Sequence, residues 1–232
     1  MNKITATYSV TDNLVPTQIL GVGFDISQIK SISISDTIVD KVLFDTIGEH
    51  EVTFIMDDDK FNTCDRMFFV CTNLVKVDLS EFKSEHVKDM TLMFGNCPNL
   101  ISIDLTSLRT DNVVCMLSMF ANCDNFEKIT FPKGFGKSCE IMAHMFYNCH
   151  KLEVMNFSNC DLSKVIDIRH MFSGCWKFKE LWVTSALNPK LEAIDFCWCV
   201  CKDGKIYYDP MYSIKPIAKY LPSVWDRIPL DL

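Results

Sequence analysis

A five-residue motif, Met-Phe-x-x-Cys, recurs along this 232-residue chain at an unchanging interval. Its five copies begin at Met67, Met93, Met119, Met145 and Met171, so each lies 26 residues after the one before it, with no insertion or deletion. A fixed period of this length is typical of a solenoid, in which one small structural unit stacks on copies of itself. We therefore predict a continuous stacked array, a kind of fold that usually works by displaying a surface and seldom by catalysis.

Each repeat divides into two parts with different hydrophobic periodicity. In the copy that spans residues 87–108, the apolar residues of the first part are spaced as on one face of a helix. They are Val87, Met90, Met93, Phe94 and Cys97. In the second part Ile103 and Leu105 alternate with polar neighbours, which is the pattern of a half-buried strand. The sequence therefore predicts a short helix of about three turns and a short strand per repeat, with parallel strand pairing and one continuous core.

Six of the twelve cysteines occupy one position of the repeat, the last of them by extrapolation of the 26-residue step. This cysteine ladder consists of Cys71, Cys97, Cys123, Cys149, Cys175 and Cys201. Stacked equivalents hold their Cα–Cβ bonds nearly parallel, whereas a disulfide needs the two bonds to converge. We predict that the ladder cysteines are buried thiols that act as small hydrophobic side chains. Structural disulfides are the alternative.

Different patterns flank the array. Residues 1–49 contain short β-forming segments separated by turn residues, which predicts a small N-terminal β cap. Val52 and Phe54 align with the strand positions of the repeats, so the array is predicted to span residues 50–203 in about six coils. Its first strand is expected near residues 50–56. Residues 204–232 are predicted to form a C-terminal cap, whose prolines exclude a long regular helix.

The repeat units MFGNCPNLISIDLTSLRTDNVVCM and MFANC resemble the BspA-like leucine-rich repeats, specifically their 26-residue type. The resemblance covers residues 61–201, and the segments FPKGFGKSCEIM and FSNCDLSKVIDI depart from the family's pattern in one connection. It implies an α/β fold, namely a right-handed leucine-rich-repeat solenoid of parallel short strands and short helices. It also implies no known catalytic residues, and an association of the family's members with surface adhesion or host contact.

Charge and hydropathy exclude several classes of partner. The formal net charge of −7 argues against nucleic acid or anionic lipid as the main partner, because both require a basic surface. No segment approaches the roughly 20 consecutive apolar residues of a membrane-spanning helix, so no membrane insertion is expected. The N-terminal segment lacks the apolar stretch of a signal peptide. We expect a location on a cell surface or in a virion, because a phage protein is released by lysis without an export signal.

Few residues are arranged like a catalytic or metal site. The sequence Cys197-x-Cys199-x-Cys201 is the most suggestive metal motif, but no second cysteine pair stands nearby, so packing in the core is the favoured interpretation. His144 and His170 lie one repeat apart and are predicted to be exposed neighbours, with a transient metal or pH role left open. We find no nucleophile with a placed base and no Gly-rich phosphate loop. We therefore expect no enzyme activity, no cofactor and no bound metal.

The residues that alternate with the buried strand positions should form a ribbon across one face of the array. The candidate binding face on this ribbon consists of Lys76, Asp78, Asp104, Lys128, Asn156, Glu180 and Trp182. Trp182 is its most informative member, because an aromatic side chain on a solvent-facing strand is typical of a binding hot spot. The alternative is that the C-terminal cap, around Tyr207 and Trp225, covers Trp182.

Two functions fit these observations. We expect a non-enzymatic binding or adhesion module that presents the candidate binding face to a protein or glycan. The alternative is a structural protein of a bacteriophage virion or another assembly, which would contact copies of itself or other virion proteins. Neither function requires a cofactor.

Overall fold

In the computed structural model, residues 2–35, 37–58, 61–193, 196 and 203–230 are described. They form short strands and one short α-helix, α1 (Lys215–Ala218). The strands are β1 (Lys3–Val10), β2 (Thr17–Gln18), β3 (Ile29–Ile32), β4 (Lys41–Val42), β5 (Gly48–Met56), β6 (Leu74–Asp78), β7 (Ser102–Asp104), β8 (Lys128–Thr130), β9 (Val154–Asn156), β10 (Glu180–Val183), β11 (Lys205–Tyr208) and β12 (Asp226–Pro229).

The first five strands belong to the N-terminal region, where the sequence predicts short β segments. A four-stranded sheet has the order β3-β5-β1-β6, and β1 pairs antiparallel with both of its neighbours. The expectation that the strand at 50–56 begins the parallel array is wrong, because β1 separates β5 from β6. Val52 and Phe54 align with the repeat because both are buried. Their burial does not distinguish antiparallel pairing with β1 from parallel pairing within the array.

From residue 63 onward, each repeat adds one rung to two parallel ladders. One ladder consists of strands: β7 pairs with β8, and β9, β10, β11 and β12 pair in that order, all in parallel. The other consists of single-residue parallel bridges that join Thr63, Asp89, Cys115, Ile141, Asp167 and Glu192. The predicted repeat solenoid with parallel stacking is therefore confirmed.

The predicted helices, and with them the α/β class, are wrong. Within the described residues, α1 and one 3-10 turn at Ile26–Gln28 are the only helical segments. The Met-Phe segment of each coil instead forms overlapping turns, as where Met93 N donates to Met90 O at 3.2 Å. Alternate N–H groups donate to the next coil, as Phe94 N does to Met119 O at 2.9 Å. Apolar residues three apart share one face of such turns as well as of a helix, so their spacing does not distinguish the two. The array is a β-solenoid.

Two backbone positions in each turn segment have positive φ, which distinguishes these turns from a helix. The position before the Met-Phe pair has φ between 54° and 57°, and the position before the ladder cysteine has φ between 56° and 81°. The second position is occupied by Val70, Asn96, Asn122, Asn148 and Gly174. Asn and Gly adopt this left-handed conformation more readily than other residues. Their recurrence before the cysteine is thus the sequence signal for turns.

The asparagines at this second position also bond to one another along the array. Asn122 Nδ2 donates to Asn96 Oδ1 at 2.8 Å, and Asn148 Nδ2 donates to Asn122 Oδ1 at 2.9 Å. In the following coil the position is Gly174, where an added Cβ would lie 2.0 Å from Asn148 Oδ1. This asparagine ladder ties three consecutive coils together and ends at a glycine that leaves room for its last member.

A column of stacked aromatic rings runs through the core. Neighbouring rings are 5.3 to 5.6 Å apart between centroids and within 11° of parallel. The column consists of the buried residues Phe68, Phe94, Phe120, Phe146 and Phe172. Offset-stacked rings add about 0.5–1.5 kcal/mol per pair beyond their buried area. The phenylalanine of each motif therefore stabilises the contact between coils as well as its own coil.

The cysteine ladder runs beside this column. Cys71, Cys97, Cys123, Cys149 and Cys175 are buried, which confirms the prediction for these five, whereas Cys201 lies outside the described residues. From the second member onward, each thiol donates to the carbonyl of the motif phenylalanine one coil earlier, at 3.0 to 3.2 Å. The thiols are therefore hydrogen-bonded links between coils in addition to space-filling side chains.

Both ends of the array are closed. At the C-terminal end β11 and β12 continue the parallel ladder, and Ile217 of α1 and Trp225 are buried. The helix is four residues long and has Pro216 in its first turn, in agreement with the expectation that the prolines exclude a long regular helix. After residue 203, where the sequence predicts a C-terminal cap, the structure has β11, α1 and β12.

Candidate functional site

The candidate binding face is assembled by the strand ladder. Because side chains alternate along a strand, the residues between the buried positions of β6 to β10 point outward on one side. The strands of the ribbon belong to three sheets, since β6 pairs with β1, β7 pairs with β8, and β9 pairs with β10. Five of its predicted members, Lys76, Asp78, Asp104, Lys128 and Asn156, are exposed, whereas Glu180 and Trp182 are half-buried. The structure thus places all seven on the same face.

Three of these residues also hold the turn that follows their strand. Each accepts a hydrogen bond from the backbone N–H two residues further on: Asp78 Oδ1 from Ser80 at 2.9 Å, Asp104 Oδ1 from Thr106 at 2.9 Å, and Asn156 Oδ1 from Ser158 at 2.8 Å. In the first turn this N–H donor keeps the pKa of the Asp78 carboxyl below its usual value. These oxygens therefore hold the turns, which leaves the charge of Asp78 and Asp104 and the amide nitrogen of Asn156 available to a partner.

Trp182 is held in one orientation by two contacts. Its ring stacks on Tyr207 of β11, with 4.0 Å between centroids and 13° between planes, and its Nε1–H donates to Glu180 Oε1 at 2.6 Å. The strand register places Asn156 on its other side. Trp225 packs instead against Phe178, 5.7 Å away between ring centroids. Tyr207 of β11 therefore covers one face of the Trp182 indole, and the shorter side chain of Asn156 lies on the other side.

A second aromatic position lies outside the strands. The residue after the ladder cysteine is Asp124, His150 and Trp176 in three successive coils. Trp176 is 56% exposed and its ring is nearly parallel to that of His150, 6.4 Å away between centroids. His150 Nδ1 lies 3.4 Å from Asp124 Oδ1. Asp124, His150 and Trp176 are one period apart, so alignment of the repeats would have identified them as stacked neighbours. The strand pattern that predicts the candidate binding face does not include this position.

His144 and His170 are neighbours, as predicted, but they are half-buried instead of exposed. Their rings stack 4.8 Å apart with 22° between planes, and both residues occupy the positive-φ position before the Met-Phe pair. Burial, followed by the charge of His170, lowers the pKa of His144. The predicted exposure was wrong because it assumed a helix, on which this position faces away from the core.

The core contains several buried thiols. Burial raises the pKa of the Cys123 and Cys139 thiols to about 12, so they stay protonated and weakly nucleophilic. Within the part of the chain that the structure describes, no group of three or more His, Cys, Asp or Glu residues is placed to hold a metal ion. The motif Cys197-x-Cys199-x-Cys201 lies outside the described residues. No helix among the described segments is long and apolar enough to cross a membrane.

The fold defines a β-solenoid repeat protein whose strands display a ribbon of outward side chains. Residues 62–186, more than half of the chain, match the family described as "Mycoplasma protein of unknown function, DUF285", and the chain belongs to this family. The assignment to the BspA-like leucine-rich repeats is therefore wrong, since the matching family is a different one and the coils lack the helices that resemblance implies. No curated protein and no solved structure matches the chain.

Proposed function

We propose that this protein is a non-catalytic binding module whose strand ribbon attaches to a protein or a glycan. The observation that carries this proposal is the Trp182–Tyr207 stack, an aromatic pair on a face whose other members are exposed charged and amide side chains. Binding energy at interfaces is concentrated in a few Trp, Tyr and Arg side chains that polar neighbours surround. The ribbon has this composition, with the aromatic pair near its C-terminal end.

Preorganisation of the ribbon supports the same function. Trp182 is fixed by Glu180 and by Tyr207. The side chains of Asp104 and Asn156 are fixed because each accepts a hydrogen bond from a backbone N–H group of the following turn. A partner would therefore immobilise few side chains on binding, which lowers the entropic cost of association. A stack of identical coils also holds these side chains at a fixed spacing, because each coil is bonded to the next.

Two substitutions test the strand ribbon. Trp182→Ala removes the indole, and Asp104→Asn removes a charge but keeps the oxygen that accepts from Thr106. Wild-type and variant proteins are applied to a printed glycan array and to a panel of purified extracellular matrix proteins, and the free energy of unfolding is measured in parallel. Tyr212→Ala is the matched control, because it deletes an exposed aromatic ring outside the ribbon.

We expect Trp182→Ala to lose at least roughly tenfold in affinity for the retained partner, the effect of a hot-spot residue. Tyr212→Ala should bind that partner normally. Asp104→Asn should weaken binding less and reduce its salt dependence. Full retention of binding by Trp182→Ala, at unchanged stability, would contradict the proposal.

The alternative function, a component of a virion or another assembly, is favoured by one region. Leu14 and Ile47 in the loops of the N-terminal cap are 84% and 65% exposed, and Asn13 Nδ2 donates to Asp45 O at 3.0 Å and so joins the two loops. Addition of strands at the array ends is disfavoured, since edge strand β12 contains Pro229, which lacks an N–H. Self-association through the loops predicts a concentration-dependent oligomer by sedimentation that Leu14→Asp abolishes, and a monomer at all concentrations would rule it out.

A further inference from the structure

A groove lies at the corner between the turn segments and strands β8 and β9. It has a volume of about 360 Å³ and is lined by Glu127, Lys128, Lys151, Glu153, Val154 and Lys177. We call it the corner groove. Its size is within the range of small-ligand sites, roughly 300–1,000 Å³. The groove is open to solvent and borders the strand ribbon through Lys128.

The charge balance of the corner groove is opposite to that of the chain. Lys179 Nζ lies 2.6 Å from Glu153 Oε2, and this hydrogen bond keeps the pKa of Glu153 below its usual value. Within the described residues, Lys128, Lys151 and Lys177 form no ion pair. Three lysines therefore line the groove against the carboxylates of Glu127 and Glu153, of which Glu153 is paired with Lys179, on a chain whose formal net charge is −7. A local excess of positive charge on an acidic protein indicates an anionic ligand.

An aromatic residue comes directly before two of these lysines in the chain. Trp176 precedes Lys177 and His150 precedes Lys151, and the two rings lie within 17° of parallel. An exposed aromatic ring beside charged donors suits a ligand that has an apolar face and anionic substituents, as a sugar ring with a carboxylate or a sulfate has.

An acidic peptide fits the corner groove less well. Extended peptides gain much of their affinity by pairing with the free backbone groups of a strand edge. Part of the backbone at this groove is already paired, since Glu127 N donates to Ile101 O at 2.8 Å and Lys179 N donates to Glu153 O at 2.9 Å, although β8 and β9 are not paired with each other. The exposed ring of Trp176, which precedes Lys177, favours a compact anionic sugar over a peptide.

We propose that the corner groove binds an anionic sugar unit, carboxylated or sulfated, through Lys128, Lys151 and Lys177, with Trp176 stacking against the sugar ring. This site goes beyond the strand-ribbon function and does not depend on it. Lysine binds as a point charge, so the carboxylated and sulfated forms share one recognition chemistry.

Titration calorimetry on the full chain with five probes tests the corner groove. The acidic probes are tetragalacturonate and sulfated maltotetraose, the neutral controls are the methyl ester of the first and unsulfated maltotetraose, and tetraglutamate represents an acidic peptide. The test variant is Lys151→Gln/Lys177→Gln. Its matched control, Lys164→Gln/Lys190→Gln, makes the same change of charge at two exposed lysines outside the groove.

We expect at least one acidic saccharide to bind, and the neutral saccharides and tetraglutamate to bind at least roughly tenfold more weakly. Lys151→Gln/Lys177→Gln should weaken binding about tenfold, and Trp176→Ala at least roughly fivefold, while the control pair and Trp182→Ala bind as the wild type does. The proposal is overturned if neither acidic saccharide binds, if tetraglutamate binds as tightly as they do, or if the two lysine pairs have equal effects. None of these outcomes bears on binding at Trp182, so the two proposals fail separately.

Discussion

The asparagine ladder gives a quantitative test of how the coils are held together. Asn122 is its central member: its amide donates to Asn96 and its oxygen accepts from Asn148, at 2.8 and 2.9 Å. It also has φ of 59°, in the left-handed region. A substitution therefore affects two separable quantities, the two inter-coil hydrogen bonds and the backbone energy of the residue itself.

Glycine and alanine separate these two quantities. Asn122→Gly removes both hydrogen bonds but keeps a residue that adopts positive φ freely, so we expect a loss of about 1–3 kcal/mol, from about 0.5–1.5 kcal/mol per bond. Asn122→Ala removes the same bonds and places a Cβ in the left-handed region, which adds about 1–2 kcal/mol. The alanine variant should therefore be the less stable of the two, by about 1–2 kcal/mol.

The measurement is urea unfolding followed by circular dichroism, with the free energy obtained by linear extrapolation and the m-values compared. Asn159 is the matched control position, because it is exposed and has no positive φ. There the order should reverse, with glycine less stable than alanine, since glycine loses more backbone entropy on folding. Equal losses for the two Asn122 variants, or the order found at Asn159, would refute the role assigned to the left-handed turn.

Three further predictions follow from the core and the turn segments. Cys123→Ser should destabilise by only about 1 kcal/mol in urea unfolding, because Phe94 O accepts the hydroxyl; a loss above about 3 kcal/mol would mean that the hydroxyl is unsatisfied. Gly174→Ala should destabilise by at least about 2 kcal/mol, and less so in an Asn148→Gly background, because that change removes the oxygen that an added Cβ would meet; additive free energies would contradict this contact. The lowered pKa of His144 means that the unfolded chain takes up a proton first, so stability should fall as pH drops below about 6.5 and should fall less in His144→Asn; identical pH profiles would disprove this effect.

The periodicity of the chain determined which residues form the core. The motif phenylalanines and the cysteines Cys71 to Cys175 are all buried, whereas the inward strand position Ile129 is half-buried. A period of 26 residues without insertions forces equivalent residues into register, and apolar residues in register share one core whatever the backbone between them does. The alternation along each strand likewise determined the outward side of the ribbon, from Lys76 to Trp182.

The backbone between these ladder positions was decided by contacts that span whole coils. Spacings of three residues suit a helix and a series of turns equally. The turns form because N–H groups such as that of Phe94 find their acceptors one coil away, and these bonds exist only when the coils stack. The Asn or Gly before the ladder cysteines from Cys97 to Cys175 is the local sequence signal for these turns, because both residues tolerate positive φ.

Long-range pairing also decided where the array begins and which aromatic residues are exposed. β1 lies between β5 and β6 although about 40 residues separate β1 from β5 in the chain, and no local pattern specifies such a neighbour. The same holds for Trp182 and Trp176. Tyr207 covers one face of Trp182 because β11 continues the ladder, whereas Trp176 stays exposed at a corner beside His150. The sequence determines which side chains point away from the core, whereas the stacking of neighbouring coils determines which residues they contact.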